Sequence, residues 1–597
     1  MKWFKVQLHK HGINRNKTSI KSLVIEEFDI SVNEIIGEGE LYDYAVVSNN
    51  NSVPTCFKSD ELLIIGDISV HNKEELLSNN NLKKSTYKGI SDEVLFSLLY
   101  KEKGIRFIHD VVGEFSFVLY DVIKMESYFV RDQIGVKTLF WSRNDLGLVI
   151  ASDIFLLQEE TTSNNINNSY FQEFHIRNGI IDIDLTPFVN INRVPSGCYA
   201  HNRDYKTKIY EYWNLVDIKE TLNYKDERLY LEEFREILLN SVKSRLVKDR
   251  KNSVMLSGGM DSTSIYALSK LVERSDGRYV TKSVSAIFDE LQECDESSYI
   301  LGLLEKYNDT GIYINSDNVL LFDEFPNRVP FSYEPNVNAL SFNFTYSAVK
   351  KAAEEGLFNV LTGYGGDQLL TGSMYVTRDL LKEFKVKEAL CYITDYSITT
   401  NSSALENISR YTLFPNILKN YEIKEKSGYY KNINKKLKGI KHYHQKDLYY
   451  QINSTKSHIY TDRLIGGLAS VDISHPFLDR RLIEYVFKIP GKLRRSREQG
   501  KYILRESMNE FLTNEITGRI NKTAHVAHTY KSIRQNWGEI QSTLYDPIAI
   551  CSLGLIDVND WRNELLKWRN GVQVNDSFWT LLSIELWFNG YRRKSGL

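Results

Sequence analysis

The stretch VMLSGGMDSTS, residues 254–264, runs from an apolar segment into two adjacent glycines, a carboxylate and a cluster of hydroxyls. Ser253–Leu256 has the apolar character of a buried strand. Asp261–Val272 places Ile265, Leu268 and Val272 on one helical face. Between them lie Ser257, Gly258, Gly259 and Met260. Glycines there let the backbone approach a ligand and turn its N–H groups outward. The helix N-terminus adds partial positive charge, so the expected guest is a polyphosphate, held by Leu256, Ser257, Gly258, Gly259, Asp261 and Ser262. No Gly-Lys-Ser/Thr follows, so this is not a Walker A loop. A carboxylate inside an anion-binding turn needs a cation between it and the phosphates, which makes Asp261 a candidate Mg²⁺ ligand.

A second loop repeats the logic. LTGYGGDQL, residues 361–369, follows the apolar FNVL of 358–361 and offers Gly363, Tyr364 and Asp367. VSAIF (284–288) is a further strand candidate, and residues 229–247 place Leu231, Phe234, Leu238, Val242 and Leu246 at helical spacing. Alternating helices and apolar strands predict a doubly wound parallel sheet, an α/β class. Two glycine loops at strand ends, each with one aspartate, suit the crevice of such a sheet, where Asp261 and Asp367 are expected to share one Mg²⁺ or a pair.

The first 215 residues have a different texture. ELLIIGDISV (61–70), EFSFVLYDV (114–122), SYFVRD (127–132) and GLVIASDIF (147–155) are β-rich runs cut by turns, and 193–215 reads as a closing hairpin. Two domains are expected, 1–215 and 216–597, and 597 residues exceed what one core organises. A net charge of −2 argues against nucleic acid or an acidic membrane as the main partner. Five scattered cysteines without a CxxC pair predict neither a disulfide framework nor a zinc site. With no apolar signal segment and no apolar run of spanning length, a cytoplasmic protein is expected.

The loops carry a family resemblance. Ser257-Gly-Gly-Met-Asp-Ser262 resembles the pyrophosphate-binding loop of the asparagine synthetase superfamily, which activates carboxylates as acyl-adenylates. CDESSY (294–299), the Gly-Gly-Asp loop, HPFLDRRLIEYVFKIP (475–490), GKYILRESM (500–508) and EITGRINK (515–522) follow in the family's order. GDISVHNKEEL (66–76), VVGEFSFVLYD (111–121) and RDQIGVKTLFW (131–141) are similar to the family's glutaminase half. The resemblance implies an α+β N-terminal domain of amidotransferase type, an Ntn β-sandwich with helices. It also implies a C-terminal ATP-pyrophosphatase domain that uses ATP and Mg²⁺. Lys501 and Arg505 are placed near the triphosphate, and Lys522 is placed as the late lysine that stabilises the oxyanion. Glu296 closes the nucleotide loop or caps a helix, while His475, Phe477 and Asp479 read as architecture.

Three departures shape the functional expectation. The family's glutaminase exposes an N-terminal cysteine, whereas this sequence opens Met1-Lys2-Trp3 and its first cysteine is Cys56. Ile65-Gly66 stands where an oxyanion-stabilising Asn-Gly is usual, so ammonia from glutamine is not expected. Tyr364 replaces the glutamate usual in asparagine synthetases, as in the β-lactam synthetases, whose tyrosine helps deprotonate the attacking amine. Its carboxylate partner falls near Tyr460, with Asp462 the nearest acid. GYGGDQLL (363–370) and the overall length are similar to lasso-peptide macrolactam cyclases. That likeness implies a linear core peptide with an Asp or Glu side chain and a free N-terminus, served by a leader peptidase and a precursor-recognition protein. The alternatives are an asparagine-synthetase-like or β-lactam-type enzyme of small molecules and a silent scaffold. The basic KKLKGIKHYHQK (435–446) is either a solvated face or a wall against the peptide.

Overall fold

A computed structural model describes residues 1–9, 19–39, 41–49, 53–80, 89–160, 165–180, 184–417, 428–520 and 523–596. In chain order the first strands are β1 (Lys2–His9), β2 (Val32–Glu38), β3 (Tyr42–Asn49), β4 (Cys56–Lys58), β5 (Leu62–Val70) and β6 (Gly113–Asp121). They continue as β7 (Glu126–Arg131), β8 (Phe140–Asn144), β9 (Gly147–Ala151), β10 (Ile191–Arg193), β11 (Cys198–Arg203) and β12 (Lys206–Glu211). All pair antiparallel, in two sheets of order β10-β8-β9-β1-β3-β2 and β12-β11-β7-β6-β5-β4.

The side-chain period of two decides the packing. Phe4, Val6 and Leu8 of β1 meet Leu63, Ile65, Val118 and Phe129 of the facing sheet. Trp3 points the other way, into a second core with Phe28, Phe155 and the aromatic C-terminal helix Phe578–Ser595. The outer face of the second sheet is covered by helices Lys73–Asn79 and Asp92–Lys103 through Leu76, Leu95, Phe96 and Leu99. The result is the expected sandwich between helical layers.

The C-terminal half opens with the expected helix, Glu227–Arg245. Asp226 caps it by accepting the Arg228 N–H, and Phe234, Leu238 and Val242 are buried. Five parallel strands follow: β13 (Lys251–Met255), β14 (Val280–Ile287), β15 (Ile312–Asn315), β16 (Asn359–Leu361) and β17 (Asp472–Ser474). Their order, β15-β14-β13-β16-β17, reverses direction beside β13, so the loops after β13 and β16 diverge there and leave a crevice.

Between β16 and β17 the chain inserts helices Val376–Lys382, Val386–Thr400, Tyr443–Ser454 and Lys456–Ala469. Within the basic run, Lys436 pairs with Glu211 of β12 at 2.7 Å, and Leu437 and Ile440 are buried, so part of it fastens the insertion to the N-terminal half. The sheets separate near residue 215, but the cores do not. Phe171 of the first half packs on Trp587 at 4.9 Å between ring centroids. No helix among the described residues is long and apolar enough to cross a membrane.

Candidate active site

The loop after β13 is braced by its own hydroxyls. Ser257 and Ser262 Oγ atoms lie 2.9 Å apart, the Ser257 N–H donates to Ser262 Oγ at 3.0 Å, and the Gly259 N–H donates to Ser257 Oγ at 3.3 Å. Leu256 is buried beneath as the floor. Glu296 accepts the Gly258 N–H at 3.0 Å and pairs with Arg519 at 2.8 Å, while Arg519 donates to the Gly258 carbonyl at 3.0 Å. Glu296 therefore closes the loop; its side chain caps no helix. A Cβ on Gly258 would come within 2.9 Å of Arg519 Nη1 and 3.0 Å of Tyr299 Cβ.

The second loop presses directly on the first. A Cβ on Gly363 would sit 2.7 Å from the Ser262 nitrogen, and one on Gly366 would sit 2.3 Å from Asp261 Oδ1. Only glycine permits that approach. It brings Asp261 and Asp367 to one point, where the Lys501 ammonium contacts Asp261 Oδ2 and lies 2.7 Å from Asp367 Oδ1. Burial alone would lower the Lys501 pKa, but the two carboxylates outweigh it and hold it above its ordinary value. Lys501 is the residue that precedes helix Tyr502–Met508, not a member of it.

Arg505 is spent elsewhere. It donates to the carbonyls of Thr517 and Arg519, fixing the segment that carries Arg519, and it feels the Asp261 charge without a hydrogen bond to it. Lys522 lies outside the described residues. A pair of carboxylates already gathered around one positive charge is an oxygen donor set that fits Mg²⁺.

Tyr364 stands beside this point with its phenol already committed. Its hydroxyl donates to the Thr455 carbonyl at 3.1 Å, and its N–H donates to Thr362 Oγ1 at 3.2 Å. Burial first, and the Asp462 charge second, push the phenol far above its ordinary range, so it is held neutral. The His458 ring stacks on Tyr364 at 3.9 Å and 25°, and the His475 ring meets it edge-on at 5.6 Å. Asp462 bridges the two imidazoles, 3.5 Å from each Nε2. His475 Nδ1 is 2.8 Å from Thr362 Oγ1, and burial lowers its pKa to about 4.

Sequence reasoning placed Asp462 nearby but did not find His458. The i,i+4 spacing of the two on one helix face is the signal that could have found it. Tyr460 points to the opposite side, into the core with Trp3 and Phe155. Phe477 and Asp479 are architectural as expected: Phe477 is fully buried, and Asp479 caps helix Arg480–Lys488 and pairs with Arg245 at 2.9 Å.

The matching position of the first domain, in the middle of β5, is closed. Ile65 is buried in the sandwich, and a Cβ on Gly66 would meet the Ser116 carbonyl at 2.5 Å. Asp67 pairs with Lys137 at 3.1 Å and with Arg463 at 3.4 Å, and Arg463 reaches in from helix Lys456–Ala469. Cys56 lies against Tyr44, Sγ to Oη 3.8 Å, and burial raises its pKa, the reverse of an activated thiol.

A cavity of about 290 Å³ lies between the halves near the start of that helix, lined by Ser196, Glu211, Trp213, Tyr449, Asn453 and Lys456 among others. A larger groove of about 790 Å³, around Asp560 and Lys567, touches neither glycine loop.

Comparison with known proteins agrees with this arrangement. A family profile described as asparagine synthase matches residues 233–589, and one described as a glutamine amidotransferase domain matches residues 43–213. The chain belongs to the asparagine synthase family. It is similar to asparagine synthetase [glutamine-hydrolyzing] 2 of Bacillus subtilis, 25% identical over 510 residues that cover 81% of this chain and 63% of that protein. It is also similar to amidase chry2 of Gibberella zeae, 23% identical with 80% of this chain and 78% of that protein covered. Amidase chyE of Penicillium rubens is 25% identical, with 79% and 78% covered. The chain thus spans just under two thirds of the length of the Bacillus relative.

Proposed function

We propose that this protein is an ATP-dependent carbon–nitrogen ligase that adenylates a substrate carboxylate, releases pyrophosphate, and passes the acyl group to the substrate's own amine. The observation that carries the reading is the meeting of Asp261, Asp367 and Lys501 at the switch point, between two glycine loops and a helix N-terminus. In this reading the N-terminus of helix Met260–Ser275 and the Ser257 and Ser262 hydroxyls face the polyphosphate, and Asp261 and Asp367 hold Mg²⁺, which neutralises phosphate charge when bound. Lys501 supplies a fixed cation beside the departing pyrophosphate, and Lys522 is assigned to the oxyanion.

The substrate proposed is a linear core peptide with a free N-terminus and an Asp or Glu side chain, closed to a macrolactam through an isopeptide bond, as in lasso-peptide biosynthesis. Two observations support an internal amine over glutamine-derived ammonia. The amidotransferase-like site in β5 is filled by the Asp67–Lys137–Arg463 cluster, and a cavity lies between the halves, lined by Glu211 and Lys456 among others. A leader peptidase and a precursor-recognition protein are the partners proposed. The similarity to the two fungal amidases favours a second reading, amidation of a small carboxylate by a free amine.

One assay separates the readings: pyrophosphate release by wild type and Asp261→Asn, with candidate peptides, with aspartate plus ammonia, and with neither. Peptide-dependent release with loss of one water from the peptide mass is the expected result. Turnover of aspartate and ammonia alone selects the second reading, and ATP binding without release in every arm selects a scaffold.

A further inference from the structure

The ligase reading leaves open which group takes the proton from the attacking amine. We infer that His458, through Nδ1 and oriented by Asp462, is the general base of amide formation, with Tyr364 as the platform on which its ring is stacked. The inference rests on the ligase reading and deepens it.

The geometry distinguishes the two candidates at this position. Tyr364 spends its only proton on the Thr455 carbonyl. To act as a base it would first have to lose that proton from a buried setting beside the Asp462 carboxylate, and both raise its pKa. His458 is placed differently. Its side chain retains 28% exposure, and its Nε2 faces Asp462 Oδ2 at 3.5 Å. An N–H there leaves the lone pair on Nδ1, and no hydrogen bond to Nδ1 occurs among the described residues. Asp462 is 6% exposed, and its charge 3.5 Å from Nε2 favours the proton on that nitrogen. The stack at 3.9 Å holds the ring plane beside Tyr364, whose neighbour Gly363 touches the Asp261 loop. Lys456, half a turn before His458, lines the cavity between the halves, while the His458 ring lies against Tyr364.

The charged and titratable groups facing His458 are Asp462 on its own helix and Tyr364 and His475 on the loops packed against it. His475 is held neutral by burial, so it adds no competing charge near neutral pH. Lys456 is turned to Ser196 and Asn453. In the step itself the amine nitrogen forms the C–N bond to the adenylate carbonyl carbon and gives one proton to His458 Nδ1. The C–O bond to the phosphate breaks, its electron pair leaves with AMP, and the imidazolium returns the proton to solvent.

The experiment compares wild type, His458→Gln, His458→Asn and Tyr364→Phe in three readouts: ATP–pyrophosphate exchange, amide product by mass, and hydroxamate formed when hydroxylamine intercepts the adenylate. Hydroxylamine is unprotonated at neutral pH and needs no base to become a nucleophile. Both His458 variants should lose about 100-fold in amide formation, the scale of a general base. Hydroxamate yield should stay near wild type. Tyr364→Phe should cost less than tenfold. Parallel loss of hydroxamate and amide in the His458 variants would mean a structural role and overturn the assignment. A loss confined to Tyr364→Phe would return the role to the phenol. If wild type supports exchange with no carboxylate tested, the ligase reading itself fails, an outcome visible before any variant is made.

Discussion

Two places in this molecule hold the same chemistry, an aspartate against a lysine beside a glycine, and put it to opposite uses. In the amidotransferase-like half, Asp67 and Lys137 lie 3.1 Å apart with side-chain exposures of 6% and 14%, and Arg463 closes the remaining side. At the parallel sheet, Asp367 and Lys501 lie 2.7 Å apart, but Asp367 is 45% exposed and Asp261 shares the ammonium. The first cluster is sealed, with Arg463 shared between Asp67 and Asp153 at 3.4 and 3.7 Å. The second faces a cleft with two carboxylates to one cation and a helix N-terminus alongside. A buried pair whose partners are all protein is architecture; the same pair opened to a polyphosphate and a metal is a site.

Substituting the two glycines offers the strongest way to break that comparison. Gly366→Ala drives a Cβ to 2.3 Å from Asp261 Oδ1, so pyrophosphate exchange should fall by about 10³-fold, matching Asp261→Asn, with little change in melting temperature. Gly66→Ala meets Ser116 and Phe117 backbone atoms at 2.5 and 2.9 Å, so it should lower the melting temperature instead. Equal effects of the two on stability and exchange would erase the distinction between a working loop and a filled one. Lys501→Met should come next, at about 10²-fold in exchange, because it leaves two carboxylates facing each other without a cation. Arg463→Met tests the sealed cluster. It removes one of two partners of a buried carboxylate and should cost about 3 kcal/mol in urea unfolding while exchange per folded molecule is unchanged.

The comparison also explains what could be seen from the sequence. Both nucleotide loops were legible because their function depends on backbone approach, which leaves glycines next to a carboxylate in a contiguous run. The helix Glu227–Arg245 was legible from Phe234, Leu238 and Val242, and the sandwich from strands of six to nine residues in β5, β6 and β7. Strands β15 and β17, of four and three residues, are too short to carry a period and are defined only by parallel pairing with β14 and β16. His458 was hidden for a different reason: nothing local marks it, and its role depends on contact with Tyr364, 94 positions earlier in the chain. Alignment by resemblance pointed to Tyr460, two residues on. On a helix two residues is about 200° of rotation, enough to send the side chain into the core instead of the cleft.

The smallest expected effect reads the floor of the open site through its buried histidine. His475 is 2% exposed in its side chain, and burial, opposed by Asp462, lowers its pKa from 6.5 to about 4. The folded state keeps this imidazole neutral while the unfolded chain takes up a proton below pH 6.5. Its contribution to stability is therefore complete above that pH and declines as the pH falls toward 4, by about 2 kcal/mol at pH 5. His71, lowered to about 3 by burial and by Arg245, should behave alike just after β5. Urea unfolding at pH 7 and pH 5 should thus show a smaller loss for His475→Asn and for His71→Asn than for wild type. Only His475→Asn should also change the rate of amide formation, because only His475 borders Asp462 and Tyr364. An acid sensitivity that neither substitution alters would show both imidazoles to be hydrated, and the floor beneath Tyr364 would then be wet, a setting in which the phenol regains access to the proton transfer assigned to His458.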